Sequence, residues 1–269
     1  MSGQQDPPVR SERGQKRVRA YLSGELVADT SAPLLVWENR NYPAYYIPAG
    51  DMKADLIASG QTDRHPRLGE AELLHVKTSA ATAELAARRY PDAPVPELRE
   101  AIRLDWAAMS EWLEEDEPVY VHPRSPYTRV DILASSRRVR IELDGVTVAE
   151  SGQPRILFET GLPPRYYLPL TDLRMDLLQP SDRSTQCPYK GTASYWSVDT
   201  SLAGGSGGSS ALTSTAGGSG GRRHQDVVWM YRTPLPESQK IAGLACFYNE
   251  RVDLYLDGVK QPRPDSPFR

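Results

Sequence analysis

Over much of this chain apolar and polar side chains alternate with a period of two, the pattern of strands that bury one face. Val139, Ile141 and Leu143 alternate with Arg140 and Glu142, an Asp144-Gly145 turn follows, and Val146 and Val148 resume the alternation. That pattern predicts a hairpin. Val18, Leu22 and Gly24 set out the same arrangement earlier. A third short strand is predicted over 155–159, followed by a proline-rich corner and an extended segment over 165–169, where adjacent Tyr166 and Tyr167 must point to opposite faces. Segments 192–198 and 226–231, rich in aromatic and β-branched residues, predict the two arms of another hairpin, and 251–256 a last strand before an Asp-Gly turn. Two stretches read as helical. Leu98, Ile102, Trp106, Met109 and Leu113 fall on one stripe of an amphipathic helix over 96–115, and a shorter helix is predicted from Pro236 to about Tyr248.

Two of these segments are copies of each other. The stretch starting at Arg17 and the stretch starting at Arg138 share 16 identities over 41 ungapped positions, where chance supplies roughly two or three. The expected organisation is a disordered tail over 1–16 and a first β module with its helix over 17–135. A second β module over 136–260 contains a flexible Gly/Ser-rich loop over 201–221, and a C-terminal tail fills 261–269. Each GGSGG pentad of the loop matches the spacing of a nucleophile elbow without the strand-turn-helix setting that motif needs.

Composition narrows the function classes. With 32 basic and 35 acidic residues interspersed, no long basic face is available for a phosphate backbone, so nucleic acid is not an expected partner. No run of about 18 apolar residues suggests a membrane span. The N-terminus has charges but no signal-type apolar stretch, so a cytoplasmic location is expected.

The segments FETGLPPRYYLP, CPYKG, SYWSV, the tail KIAGLACFYNERVDLYLDG and the stretch EEDEPVYVHPRSPYTRVDILASS resemble the bacterial family known as domain of unknown function 427, here in tandem. The resemblance implies a mainly β fold with short helices, an α+β chain of two small antiparallel tent-like modules with an aromatic-lined pocket. It also brings the label "nucleotidyltransferase-like", although no glycine-serine turn with a paired-aspartate metal motif accompanies it. Related tent folds hold zinc through paired C-x-x-C knuckles. Here Cys187 is followed by Lys190 where a second thiol belongs, so no metal and no cofactor are expected.

The second copy carries the better candidate chemistry. Cys187 and Lys190 stand three apart in a loop stiffened by Pro188, and a neighbouring ammonium favours thiolate. Two readings stand: a nucleophilic cysteine, or a small buried hydrophobe beside a surface lysine. In copy one, Lys77 is the expected counterpart of Lys190 and Leu74 that of Cys187, which makes copy one a scaffold. Glu159, repeated as Glu38, is a structural anchor or a proton-transfer partner, and Arg165 lies six residues on, placed to pair with it or to hold an anion. Tyr166, Tyr195, Trp196, Trp229 and Tyr231 concentrate aromatics as ligand walls. Cys246 reads as core. The leading expectation is therefore a small-organic-ligand-binding protein, possessing a reactive Cys187 if it is an enzyme. The alternatives are a protein-interaction module, with the copies forming a built-in pseudo-dimer, and a nucleotidyltransferase.

Overall fold

The computed structural model describes residues 9–39, 41–204 and 221–266. The chain divides into two compact units, one over 1–126 and one over 127–269. Most of the Gly/Ser-rich loop and the first eight residues lie outside the described residues.

Unit one runs through β1 (Arg10–Arg13), β2 (Val18–Leu22), β3 (Glu25–Thr30), β4 (Leu34–Trp37), β5 (Ala44–Pro48) and β6 (Asp55–His65), then β7 (Gly69–Lys77), β8 (Thr82–Arg89), β9 (Ala101–Leu104), β10 (Glu111–Glu114) and β11 (Glu117–Pro118). Seven strands form one sheet in the order β1-β4-β5-β9-β8-β7-β6, and four form another in the order β11-β10-β2-β3. Strand β1 lies inside the segment expected to be a disordered tail; it pairs antiparallel with β4.

Unit two repeats this plan through β12 (Val130–Ala134), β13 (Val139–Leu143), β14 (Val146–Ser151), β15 (Arg155–Glu159), β16 (Arg165–Leu168) and β17 (Leu178–Cys187), then β18 (Gly191–Asp199), β19 (Arg223–Tyr231), β20 (Ala245–Phe247), β21 (Asp253–Leu256) and β22 (Val259–Lys260). Its sheets run β12-β15-β16-β20-β19-β18-β17 and β14-β13-β21-β22, so the duplication extends through the whole unit.

Neither predicted helix forms. The segment 96–115 holds 3-10 turns at Pro96–Leu98 and Trp106–Ala108, with β9 and β10 between and after them. Strand β9 fills the gap between β5 and β8, and satisfying both ladders at the centre of a sheet outweighs the helical spacing of five apolar side chains. The 236–248 segment is a 3-10 turn, Pro236–Ile241, followed by β20 in the equivalent central place. Helical structure among the described residues is limited to such 3-10 turns, and the molecule is mainly β.

Each large sheet buries both faces. In unit two the inner face packs Tyr166, Leu168, Val198, Val228 and Phe247 against Val139, Ile141 and Val148 of the small sheet. The outer face gathers Leu157, Tyr167, Tyr195, Trp229, Tyr231, Cys246 and Tyr248 with Ile132 and Ile241. Unit one divides in the same way, Tyr45 lying in its inner core and Tyr46 in its outer one. The period of two thus sends each adjacent tyrosine pair to opposite faces, as the sequence predicts.

Candidate functional site

The outer face of the large sheet in unit two is built from one cross-strand row. Tyr167 on β16 lies opposite Cys246 on β20, Cys246 opposite Trp229 on β19, and Trp229 opposite Tyr195 on β18. Side chains directly opposite on a pleated sheet touch, so register alone assembles this row. The Trp229 indole N–H donates to the Tyr167 hydroxyl at 3.1 Å, with the rings edge to face. Tyr248, just past β20, lies 4.6 Å from the Trp229 ring, and its hydroxyl is 3.3 Å from that of Tyr195, which bonds Thr185 at 2.8 Å.

Charges flank the row on both sides. The Arg165 guanidinium donates twice to Glu250 at 2.8 Å, and both side chains are buried. The Arg183 guanidinium lies 4.6 Å above the Tyr195 ring and 3.8 Å from Asp226. At the other end the Lys190 ammonium donates to Glu159 at 2.5 Å, each side chain about a tenth exposed. Arg165 therefore pairs with Glu250 rather than with Glu159, whose cation is Lys190.

Cys187 closes the β17–β18 hairpin opposite Gly191, half-buried, on the same face as Thr185 and Tyr195. Tyr231 is its neighbour. Burial, reinforced by Cys187, Tyr195 and Glu159, holds the Tyr231 phenol well above its ordinary value, so it is a neutral donor. Among the described residues that hydroxyl has no hydrogen-bond partner, although the residue is only 5 % exposed. Of the expected ligand walls, Tyr195, Trp229 and Tyr231 share this face. Tyr166 and Trp196 do not: both pack into the inner core.

The hairpin registers also correct the expected correspondence between copies. His65 lies opposite Gly69, and Cys187 lies opposite Gly191. Both glycines have φ of +92°, a backbone that L side chains rarely adopt, so HPRLG and CPYKG are the same turn. The counterpart of Cys187 is His65, not Leu74, and that of Lys190 is Leu68, not Lys77. The carboxylate Glu38 keeps its place, but its cation is Arg103 from β9, at 2.8 and 3.2 Å. Arg103 in turn occupies the register position that Cys246 holds in unit two.

Sequence reasoning missed Arg183, Asp226, Tyr248 and Glu250. They come from a β-bulge and from the ends of strands, where no periodicity marks them. The shared Pro-x-x-Gly turn was the available signal for pairing His65 with Cys187. Among the described residues no three His, Cys, Asp or Glu side chains gather closely enough to hold a metal ion. A surface cavity of about 350 Å³ lies in unit one, walled by Lys16, residues 114–119 and Arg124.

Fold and site together define a class: a tandemly duplicated antiparallel β protein whose two copies share a turn and a carboxylate–cation pair but differ in the surrounding side chains. The family described as Domain of unknown function (DUF427) matches residues 10–115 and again residues 131–258, and the chain belongs to it. No curated protein matches the chain. Among the described residues no helix is long and apolar enough to cross a membrane.

Proposed function

We propose that unit two receives a small organic molecule on the outer aromatic face of its large sheet, in a tent-like cytoplasmic protein whose free thiols suit a reducing compartment. The observation that carries this reading is Tyr231, a mostly buried ring whose neutral hydroxyl has no protein partner among the described residues, beside Cys187 and the Glu159–Lys190 pair. A hydroxyl at the surface of an aromatic face with no protein partner is free to donate to an acceptor oxygen or nitrogen on a ligand. Tyr195, Trp229 and Tyr248 supply rigid apolar wall next to it. Arg183, laid over Tyr195, is the side chain that moves to admit the molecule. In any covalent step Cys187 is the nucleophile, with the Glu159 carboxylate receiving the thiol proton and the Lys190 ammonium, which has no lone pair, orienting that carboxylate.

The full chain with ¹⁵N-labelled tryptophan, titrated with small heteroaromatic fragments, tests this. Binders are expected to move the Trp229 indole signal along a saturation curve, with Trp229→Phe identifying the signal and Tyr231→Phe weakening the response. Fragments that move only the other indoles, or none, would overturn the reading.

A further inference from the structure

In unit one the turn, the carboxylate and the tyrosine of the unit-two site recur with different neighbours. The cross-strand row that reads Tyr167, Cys246, Trp229, Tyr195 in unit two reads Tyr46, Arg103, Arg88, Leu73 in unit one. Two guanidiniums therefore stand directly opposite each other on β8 and β9, an arrangement that repels unless negative charge lies between or beside them. Glu38 neutralises Arg103 and also accepts the Tyr46 hydroxyl at 2.8 Å. Arg88 has only Asp63, at 3.7 Å, and makes no hydrogen bond among the described residues.

Tyr90, two residues beyond Arg88 and on the same face, is the counterpart of Tyr231. It is 3 % exposed, and its hydroxyl likewise has no partner among the described residues. Burial raises its phenol above the ordinary value, so it too is a neutral donor. At the turn, the His65 ring accepts the Arg67 backbone N–H at its Nδ1 (3.3 Å), which leaves the proton on Nε2. The Arg67 guanidinium is tied to the backbone carbonyl of Glu38, so it adds a fixed positive charge. Three guanidiniums face two carboxylates, and among the described residues three donors make no hydrogen bond: the Arg88 fork, the Tyr90 hydroxyl and the His65 Nε2–H.

We infer that this face of unit one binds a small oxyanion, a carboxylate or phosphate group, held by Arg88 and Tyr90 with His65 at the turn. Unit one is thus a second site of inverted polarity rather than a scaffold: charge where unit two has aromatic carbon. This inference does not depend on a ligand in unit two.

The test uses the full chain with histidine rings labelled, titrated with inorganic phosphate and separately with acetate, at fixed pH and with chloride holding ionic strength constant. The His65 signal, identified by its loss in His65→Gln, is expected to follow a saturation curve while those of His75, His122 and His224 stay still. Arg88→Gln should weaken the apparent Kd about tenfold or more, and Tyr90→Phe about fivefold. The phosphate and acetate arms show which oxyanion is preferred. If Arg88→Gln does not fold, Tyr90→Phe and Arg88→Lys decide. A shift linear in anion concentration, shared by all the histidines, or unchanged in the variants that fold would overturn the inference.

Discussion

Two cysteines of unit two lie within one sheet yet differ in what decides reactivity. Cys246 is fully enclosed on β20, and burial pushes its thiol up to about 12. Cys187 is half-buried at the end of its hairpin. Brief iodoacetamide treatment of the native chain is predicted to label Cys187 and to spare Cys246 until the sheet unfolds; peptide mapping showing equal labelling would contradict this. The buried Arg165–Glu250 pair yields a second prediction. Burial pushes the Glu250 carboxyl up, but the hydrogen bonds from Arg165 and Ser266 outweigh it and the group ends below its ordinary value. With the folded value depressed, its contribution to stability is complete above the unfolded value of about 4.3 and is lost as pH falls through the folded one. Glu250→Gln should lower stability at neutral pH by about 3 kcal/mol, because Arg165 is left buried without its counter-charge, and should flatten the decline of stability in acid. Urea titrations across pH measure both. At this scale the sequence picked out candidate residues but not their partners. Glu159 looked closest to Arg165 along the chain, whereas strand register and the turn brought it Lys190.

Strand β13 was legible because its burial alternates along one apolar face, and β15 and β16, in a sheet that buries both faces, were legible from their branched and aromatic residues and the turns beside them. The strands β9, β10 and β20 were not. Each is only three or four residues long, too short for a period of two to show, and the 3-10 turns between and beside them create a false helical stripe. The turn joining β17 to β18 was read as a loop with a candidate thiol, and its twin between β6 and β7 was overlooked, because their likeness rests on proline and glycine rather than on the reactive residue. The shared geometry is testable. Gly69→Ala meets no atom within 4 Å, whereas an added Cβ at Gly191 lies 3.5 Å from the Leu235 backbone nitrogen. Because 3.5 Å is ordinary van der Waals contact, both are predicted to lose a similar amount, about 1–2 kcal/mol, from the backbone conformation alone. If chemical denaturation shows either variant to be neutral, the positive φ at that turn is wrong.

For the chain as a whole, duplication was the most secure inference from sequence, and it extends further than the aligned halves suggested. Both units have the same strand order, the same pair of sheets and the same division of the core into inner and outer faces. Every core cluster lies within a single unit. Leu177→Ala, in the inner core of unit two, should therefore destabilise that unit by about 2–4 kcal/mol, with faster amide exchange concentrated in residues 127–266. The outer faces diverge in chemistry: a Cys–Trp pair stands in one and an Arg–Arg pair in the other at the same register. That contrast is what a gene duplication leaves when a common frame is kept and the outer faces diverge. The most direct test is a crystallographic fragment soak of the full chain. The account predicts density for aromatic fragments against Tyr195, Trp229 and Tyr248, with an acceptor atom within hydrogen-bond distance of the Tyr231 hydroxyl. Fragments bound only elsewhere, with that hydroxyl satisfied by protein alone, would contradict it.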